Sequence, residues 1–193
     1  MSEAAAGGAI EITSLEPGER DGAIPIVIDA FSGVYRWHAK RTLREARWVR
    51  AARAEGRLVG VAMLEPLTAT VGYVYYIAVR ADCRRRGVAR RLLDDALRWL
   101  QAHGSQIAYA VVTEGNAPSE SLFRSRGFRP IEREEPSYQD GGLGAWGLRS
   151  RMRIVRGERL MGRRLSETDP TPAEGSLVAD PPPGSEPEGA DGG

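Results

Sequence analysis

Four arginines, Arg84, Arg85, Arg86 and Arg90, crowd around Gly87 and Ala89 in the segment Val79-Arg-Ala-Asp-Cys-Arg-Arg-Arg-Gly-Val-Ala-Arg-Arg91. A β-rich stretch ends there and a helical pattern begins. A helix starting at this point aims its unpaired backbone N–H groups and the positive end of its dipole at the preceding turn, which makes a site for an anion. Gly87 lets the backbone approach a phosphate and Ala89 keeps the next turn thin, while the arginines neutralise charge. The ligand this chemistry suits is a pyrophosphate, as in a nucleotide diphosphate. Two further side chains could move protons: Glu114, close to the only asparagine, Asn116, and Tyr73, in the strand that leads to the arginine turn.

The elements that must position these groups are legible from periodicity. Ile10–Leu15 reads as a strand, and Ala23–Phe31 and Tyr35–Glu45 as helices. Trp48–Ala54 and Leu58–Leu64 flank Glu55, Gly56 and Arg57, a three-residue hairpin signal. With the β-branched and aromatic run Ala69–Val79 they form an antiparallel meander. Val88, Leu92, Leu93, Ala96, Leu97 and Leu100 then recur at helical spacing until Gly104. Ile107–Thr113 is a buried strand, parallel to the one before because a helix joins them. Pro118–Arg126 forms a helix with proline in its first turn, followed by strands at Phe128–Glu132 and Met152–Val155. The expected fold is α/β, with a mixed central sheet flanked by helices.

Arg84-x-x-Gly87-x-Ala89 resembles the acetyl-CoA signature Arg/Gln-x-x-Gly-x-Gly/Ala of the GCN5-related N-acetyltransferase (GNAT) superfamily. A second block, Asn116-Ala-Pro-Ser119-x-x-Leu122-Phe123-x-x-x-Gly127-Phe128, is similar to that superfamily's Asn-x-x-Ala-x-x-Leu-Tyr-x-x-x-Gly-Phe motif. The blocks stand one helix and one strand apart, and the element order agrees over about residues 8–156. The resemblance implies a GNAT-like sheet, a meander followed by parallel strands that splay, with acetyl-CoA as donor substrate. It implies that backbone groups of Ile77, Ala78 and Val79 bind the pantetheine arm, which lies between strands 69–79 and 107–113. It also implies that amides from Arg84 through Arg85, Arg86, Gly87, Val88 and Ala89 to Arg90 hold the pyrophosphate. Asn116 and Phe123 then contact the cofactor, and Asn116 also suits a helix cap.

The sequence departs from the family pattern twice. Phe123 replaces the usual tyrosine, a proton donor to the departing thiolate in many members. Because a thiol of this kind ionises near ~8.5, the thiolate leaves tolerably well without that acid. Ribosomal-protein-type N-terminal acetyltransferases resemble one another in a carboxylate five residues before the asparagine, where this chain has Val111. An ammonium must lose a proton before it attacks a thioester. Glu114, or Tyr73 holding a water, are the candidate bases, against a surface glutamate and a packed aromatic as the plain alternatives. Glu65 is expected at a hairpin end, away from the thioester. In this superfamily the acceptor pocket draws on the first two helices and the loop between the last strands. Here these supply Phe31, Tyr35, Trp37 and His38, then Tyr138, Asp140 and Trp146, with Glu132, Glu134 and Glu135 nearby.

Composition narrows the function classes. The 193 residues suit one domain of roughly 150 residues with tails, divided as a flexible 1–8, an acetyltransferase domain 9–156, and an arginine-containing extension and acidic tail 157–193. Residues 165–193 hold seven acids and no base, so the remainder carries 27 basic against 19 acidic side chains, net +8. Six prolines and little apolar surface make that tail a disordered segment by composition. One cysteine, Cys83, excludes an internal disulfide, and with His38 and His103 it makes a poor zinc set, so no metal is expected. No basic leader or ~18-residue apolar run is present, which points to a cytoplasmic protein without a membrane partner. Gly142-Leu-Gly144-Ala-Trp-Gly147 spells G-x-G-x-x-G but opens no helix, and reads as a loop over the acceptor. Arg149, Arg151, Arg153, Arg156, Arg159, Arg163 and Arg164 read as an edge strand blunted by charge.

The reaction expected is transfer of an acetyl group from acetyl-CoA to a primary amine of a protein or small molecule, by direct attack on the thioester. The alternative is an acyl-CoA-binding regulatory or scaffold protein without turnover. Nucleic acid is a poorer partner, because aromatics are not interleaved with the arginines. A homodimer through edge strands is left open.

Overall fold

The structure, a computed structural model, describes residues 9–131, 152 and 157–165. Seven strands form one sheet in the order β1-β2-β3-β4-β5-β7-β6: β1 Ile10–Ser14, β2 Trp48–Ala54, β3 Arg57–Pro66, β4 Val71–Val79, β5 Ile107–Thr113, β6 Arg129–Pro130 and β7 Glu158–Arg164. Every neighbouring pair is antiparallel except β4 with β5. Among the described residues the sheet is accompanied by the α-helices α1 Arg20–Ala30, α2 Gly33–Glu45, α3 Val88–Ala102 and α4 Ala117–Arg124. The expected α/β architecture with a mixed sheet is what forms. No helix among the described residues is long and apolar enough to cross a membrane.

Each helix buries the stripe its sequence provides. Ala23, Ile26 and Val27 of α1 and Ala39 and Leu43 of α2 pack on Val49, Ala51, Val61, Met63 and Ala78. On the other face, Leu93, Ala96, Leu97 and Leu100 of α3 and Phe123 of α4 pack on Leu64, Val74, Ala108, Ala110, Val112 and Met161. The small sheet residues matter here, because they let α3 lie close. A Cβ on Gly72 would stand 2.7 Å from a Leu100 methyl, and one on Gly60 would stand 3.0 Å from both the Leu92 side chain and the Ala78 carbonyl. The acids on the outer side of α3 fix its position: Asp95 accepts from Arg50 of β2 at 2.6 Å, and Asp94 pairs with Arg126 beyond α4.

Three expectations are corrected. The β2–β3 hairpin has two residues at its tip, Glu55 and Gly56 at φ 51° and 74°, with Ala54 directly opposite Arg57. Positive φ at both positions matches the right-handed twist of the strands, so the tighter turn wins. Of the strand expected at Met152–Val155 only Met152 is described, and the last strand among the described residues is Glu158–Arg164. Met152 is buried beneath Tyr73, residues 153–155 lie outside those described, and Glu158–Arg164 pairs along the whole of β5. Arg159, Arg163 and Arg164 therefore belong to a strand flanked on both sides, β7 between β5 and β6, and not to a charged edge or to an extension beyond the domain. Arg149, Arg151, Arg153 and Arg156, and the tail from 166, lie outside the described residues.

Substituting Gly72→Ala should crowd the fully buried Leu100 and cost about 1–3 kcal/mol by overpacking. Leu93→Ala, which instead leaves a cavity, should cost about 2–5 kcal/mol. Urea unfolding at constant m-value checks both.

Candidate active site

β4 and β5 pair over four residues only, Val71–Val74 against Ile107–Ala110. Both strands continue, Tyr75–Val79 on one and Val111–Thr113 on the other, with no pairing between them. A β-bulge coincides with the point of parting. Met63 stands opposite Tyr76 and Leu64 opposite Val74, so Tyr75 is an extra residue on β4. A bulge bends its strand and increases its twist, which carries the end of β4 away from β5. It also breaks the alternation of side chains. Tyr73, Tyr75 and Tyr76 all reach the face covered by α1 and α2, whereas Val74, Ile77 and Val79 join the clusters on the α3 face.

The backbone beyond the bulge is left in a defined state. Arg80 N–H donates to the Val59 carbonyl at 2.9 Å. By the alternation of an antiparallel ladder, Ala78 turns its own N–H and C=O towards β3, while Ile77 and Val79 turn theirs towards the gap. Of the three expected pantetheine contacts, Ala78 is thus corrected: its peptide groups are committed to β3. The Val79 carbonyl is taken too, by Arg84 Nε at 3.2 Å.

At the end of β4 the chain makes a short turn and enters α3. Arg85 lies at φ 61° and Gly87, the N-cap, at φ 81°. The first return bond of the helix is Arg91 N–H to the Gly87 carbonyl, and no side chain caps it. The amides of Val88, Ala89 and Arg90 therefore precede the first intrahelical donor, and a left-handed residue upstream turns the loop's amides into a concavity of the kind that binds anions. Arg85, Arg86 and Arg90 are exposed around it, while Val88 is buried beneath. Arg84 has a different role from the one expected. Its guanidinium holds the Val79 carbonyl and the Asp29 carboxylate at 2.8 Å, tying β4 to α1, so it fixes the turn and does not reach out to a phosphate. Asp82 braces the same turn from within. The Arg80 guanidinium grips it with two bonds of 3.0 and 3.1 Å, and that contact brings its carboxyl down from 3.8 to about 2.

Asn116 caps α4, its Oδ1 accepting from Ser119 N–H at 3.2 Å. Phe123 is only 7% exposed and packs edge-to-face on Phe128 at 5.1 Å, so the ring at the motif's tyrosine position is a core side chain and offers a ligand little surface. Glu114 is exposed at the end of β5. It shares a shallow groove with Glu120 and Arg159, next to Val112 and Met161 of the α3 and α4 core. Tyr73 is 3% exposed, and its hydroxyl donates to the Met152 carbonyl at 3.4 Å. Burial first, then the neighbouring Tyr75, Tyr76 and Glu158, push its ionisation well above that of an ordinary phenol. A side chain so enclosed and so firmly protonated is a packed aromatic, the plainer of its two readings, and takes no proton from an amine.

Several groups on the α1 and α2 face were missed by sequence or placed elsewhere. Tyr75 hydroxyl donates to Glu65 Oε2 at 2.9 Å, so Glu65, which stands at the end of the β3–β4 hairpin as expected, also belongs to the tyrosine cluster. Tyr35 of α2 donates to Glu158 Oε1 of β7 at 3.1 Å. Phe31 packs edge-to-face on Tyr76 at 5.2 Å, and Trp37 is 57% exposed beside His38 and Arg41. Glu158 carries no motif, and only the pairing of β7 with β5 brings it here. Tyr138, Asp140, Trp146, Glu132, Glu134, Glu135 and the Gly142–Gly147 loop lie outside the described residues.

Fold and site together define an α/β protein with a split between two parallel strands, an open helix N-terminus at one end of the split and a polar aromatic face beside it. The sequence profile of the acetyltransferase (GNAT) family matches residues 18–128, more than half of the chain, and the chain belongs to that family. No curated protein matches its sequence. Among solved structures it is similar to the PaiA N-acetyltransferase of Thermoplasma acidophilum in complex with coenzyme A, with a TM-score of 0.61 and 12% identity over 81% of this chain and 99% of that one. It is also similar to the ribosomal-protein-S18-alanine N-acetyltransferase of Escherichia coli, with a TM-score of 0.60 and 20% identity over 88% and 99% of the two chains. N-acetylglutamate synthase of Neisseria gonorrhoeae, complexed with coenzyme A and L-arginine, aligns at a TM-score of 0.60 and 19% identity over 82% of this chain and 34% of that one. At these identities the likeness is one of fold.

Two measurements probe the junctions. The folded carboxyl of Asp82 titrates below its unfolded value, so it stabilises above about pH 4 and that contribution disappears as the pH falls towards 2. Asp82→Asn should accordingly lower the melting temperature at pH 6, with the difference closing between about pH 4 and 2. Asn116→Ala should cost about 1 kcal/mol through the lost cap, and Asn116→Asp, which keeps an acceptor there, close to nothing; thermal unfolding distinguishes them.

Proposed function

We propose that the protein transfers an acetyl group from acetyl-CoA to a primary amine, by direct attack of the amine on the thioester. The observation that carries this reading is the parting of β4 from β5 after Val74 and Ala110, which leaves the peptide groups of Ile77 and the N–H of Val79 facing a gap that ends at the open N-terminus of α3. Unpaired backbone groups lining a split are costly to bury and ready to receive a partner. An extended arm carrying amides along its length and a pyrophosphate at its end fits both features. The pantetheine lies along β4 at Ile77 and Val79. The pyrophosphate lies on the amides from Arg85 to Arg90, with Arg85, Arg86 and Arg90 supplying charge and Arg84 holding the turn in shape. Asn116 acts through its cap, presenting α4 next to the gap. The acetyl group then sits at the bulge, level with the tyrosines of the α1 and α2 face, where an acceptor approaches. Family membership supports the acetyl transfer, and the match to structures holding coenzyme A supports the donor.

The second reading, an acyl-CoA-binding scaffold, is favoured by Phe123, whose ring supplies no proton to the leaving thiolate. Thermal unfolding with acetyl-CoA separates binding from its absence, and thiol release in the presence of amines separates enzyme from scaffold. Acetyl-CoA at ~100 times its dissociation constant should stabilise the chain by ~2.7 kcal/mol. Gly87→Glu, which places a carboxylate and a strained left-handed residue at the helix start, should abolish that shift. An unshifted parent at saturating acetyl-CoA would sink the donor assignment.

A further inference from the structure

We infer that the recess between the β1–α1 turn, the start of β2 and the C-terminal part of α3 is a second ligand site, which takes a small oxyanion, carboxylate or phosphate. It stands apart from the donor site. The gap that receives the donor lies between β4 and β5, whereas the recess opens at β1 and β2, on the far side of β3. Trp99, which lines it, is twelve residues along the chain from the Gly87 cap of α3, about 18 Å at ~1.5 Å per residue. The inference therefore does not depend on the acetyl-transfer reading. The recess has a volume of about 210 Å³, the share of about seven waters at ~30 Å³ each. That is room for a phosphate, or for a carboxylate on a six-membered ring, and too little for a nucleotide.

The lining carries an excess of positive charge. Three guanidinium groups, those of Arg20, Arg47 and Arg50, face one carboxylate, that of the exposed Glu16. Arg50 is fixed in place: its Nε donates to Asp95 at 2.6 Å and its Nη1 to Ser14 Oγ at 2.7 Å, which uses two of its five donors. Elsewhere Arg53, Arg84 and Arg126 each hold a carboxylate. Arg20 and Arg47 hold none among the described residues. Arg47 is exposed and lies over the Trp48 ring, 5.3 Å from its centroid. Arg20 donates from Nη1 to the Arg44 carbonyl at 2.7 Å, while its Nε is buried with no acceptor among the described residues. A guanidinium partly withdrawn from water, with a buried donor unspent and no counter-charge, is stabilised by an anion beside it, and the attraction is screened less there than in open water. Trp48 and Trp99, with ring centroids 4.8 Å apart, add indole surface against which the body of an organic anion packs.

The test uses the full chain labelled with nitrogen-15 and follows its tryptophan indole N–H resonances as sodium phosphate or sodium benzoate is added, against sodium chloride at equal ionic strength. The signals of Trp48 and Trp99 should move saturably with at least one of the two probes, while that of Trp37, exposed on α2, stays in place. Arg20→Met and Arg47→Met should each weaken that binding about tenfold, as the loss of a charge-assisted hydrogen bond does. Arg47→Met removes an exposed charge and no hydrogen bond, so it serves even where Arg20→Met, which gives up the bond to Arg44, fails to fold. Tighter binding of phosphate assigns a phosphate-bearing or inorganic ligand, and tighter binding of benzoate a carboxylate on an apolar body. Signals that respond to neither probe beyond their response to chloride, or an affinity unchanged in Arg47→Met, overturn the site.

Discussion

The parting of β4 and β5 is the constraint around which the molecule is arranged. Two parallel strands joined by a helix would ordinarily pair along their shared length, since each unpaired peptide group inside a sheet forfeits a hydrogen bond. Here the pairing stops after four residues, at the bulge that inserts Tyr75. The rest of the sheet absorbs the cost. β4 stays paired with β3 from Gly72 to Val79 except at the bulged Tyr75, and β5 with β7 over seven residues, so each diverging strand keeps one neighbour. α3 spans the two halves, burying Val88 and Leu92 against the β2, β3 and β4 side and Leu93, Leu97 and Leu100 nearer β5.

Charge is used for two purposes that composition alone merges. Arg80, Arg84 and Arg126 are spent on structure, gripping Asp82, Asp29 and Asp94. Arg50 locks α3 to β2 through Asp95 in a half-buried pair, where removing one partner would strand the other. Arg85, Arg86 and Arg90 stand exposed at the helix start. An arginine-rich segment is thus partly a scaffold and partly a surface, and the division follows from whether an acid or a carbonyl lies within reach. The aromatic residues divide in the same way. Phe123 and Tyr73 are packing, whereas Tyr35 and Tyr75 turn their hydroxyls on carboxylates.

Much of this was legible from the order of residues. The strands Trp48–Ala54 and Ile107–Thr113, the helix from Val88 and the glycine at its start follow from local periodicity and turn chemistry, which act over a few residues and leave their mark in sequence. So does the open helix N-terminus, because a glycine N-cap with arginines before it is a local arrangement. The two motif blocks fixed the family for the same reason. What sequence could not decide depends on contacts between distant segments. The bulge at Tyr75 shows only in the register of β3 against β4, and it decides that three tyrosines share a face. The commitment of Arg84 to Asp29 spans 55 residues, and that of Tyr35 to Glu158 spans 123. Glu158 itself has no local signature. It becomes a neighbour of the gap because β7 returns alongside β5, and strand pairing across such a separation is set by the packing of the whole core and not by the residues on either side of it.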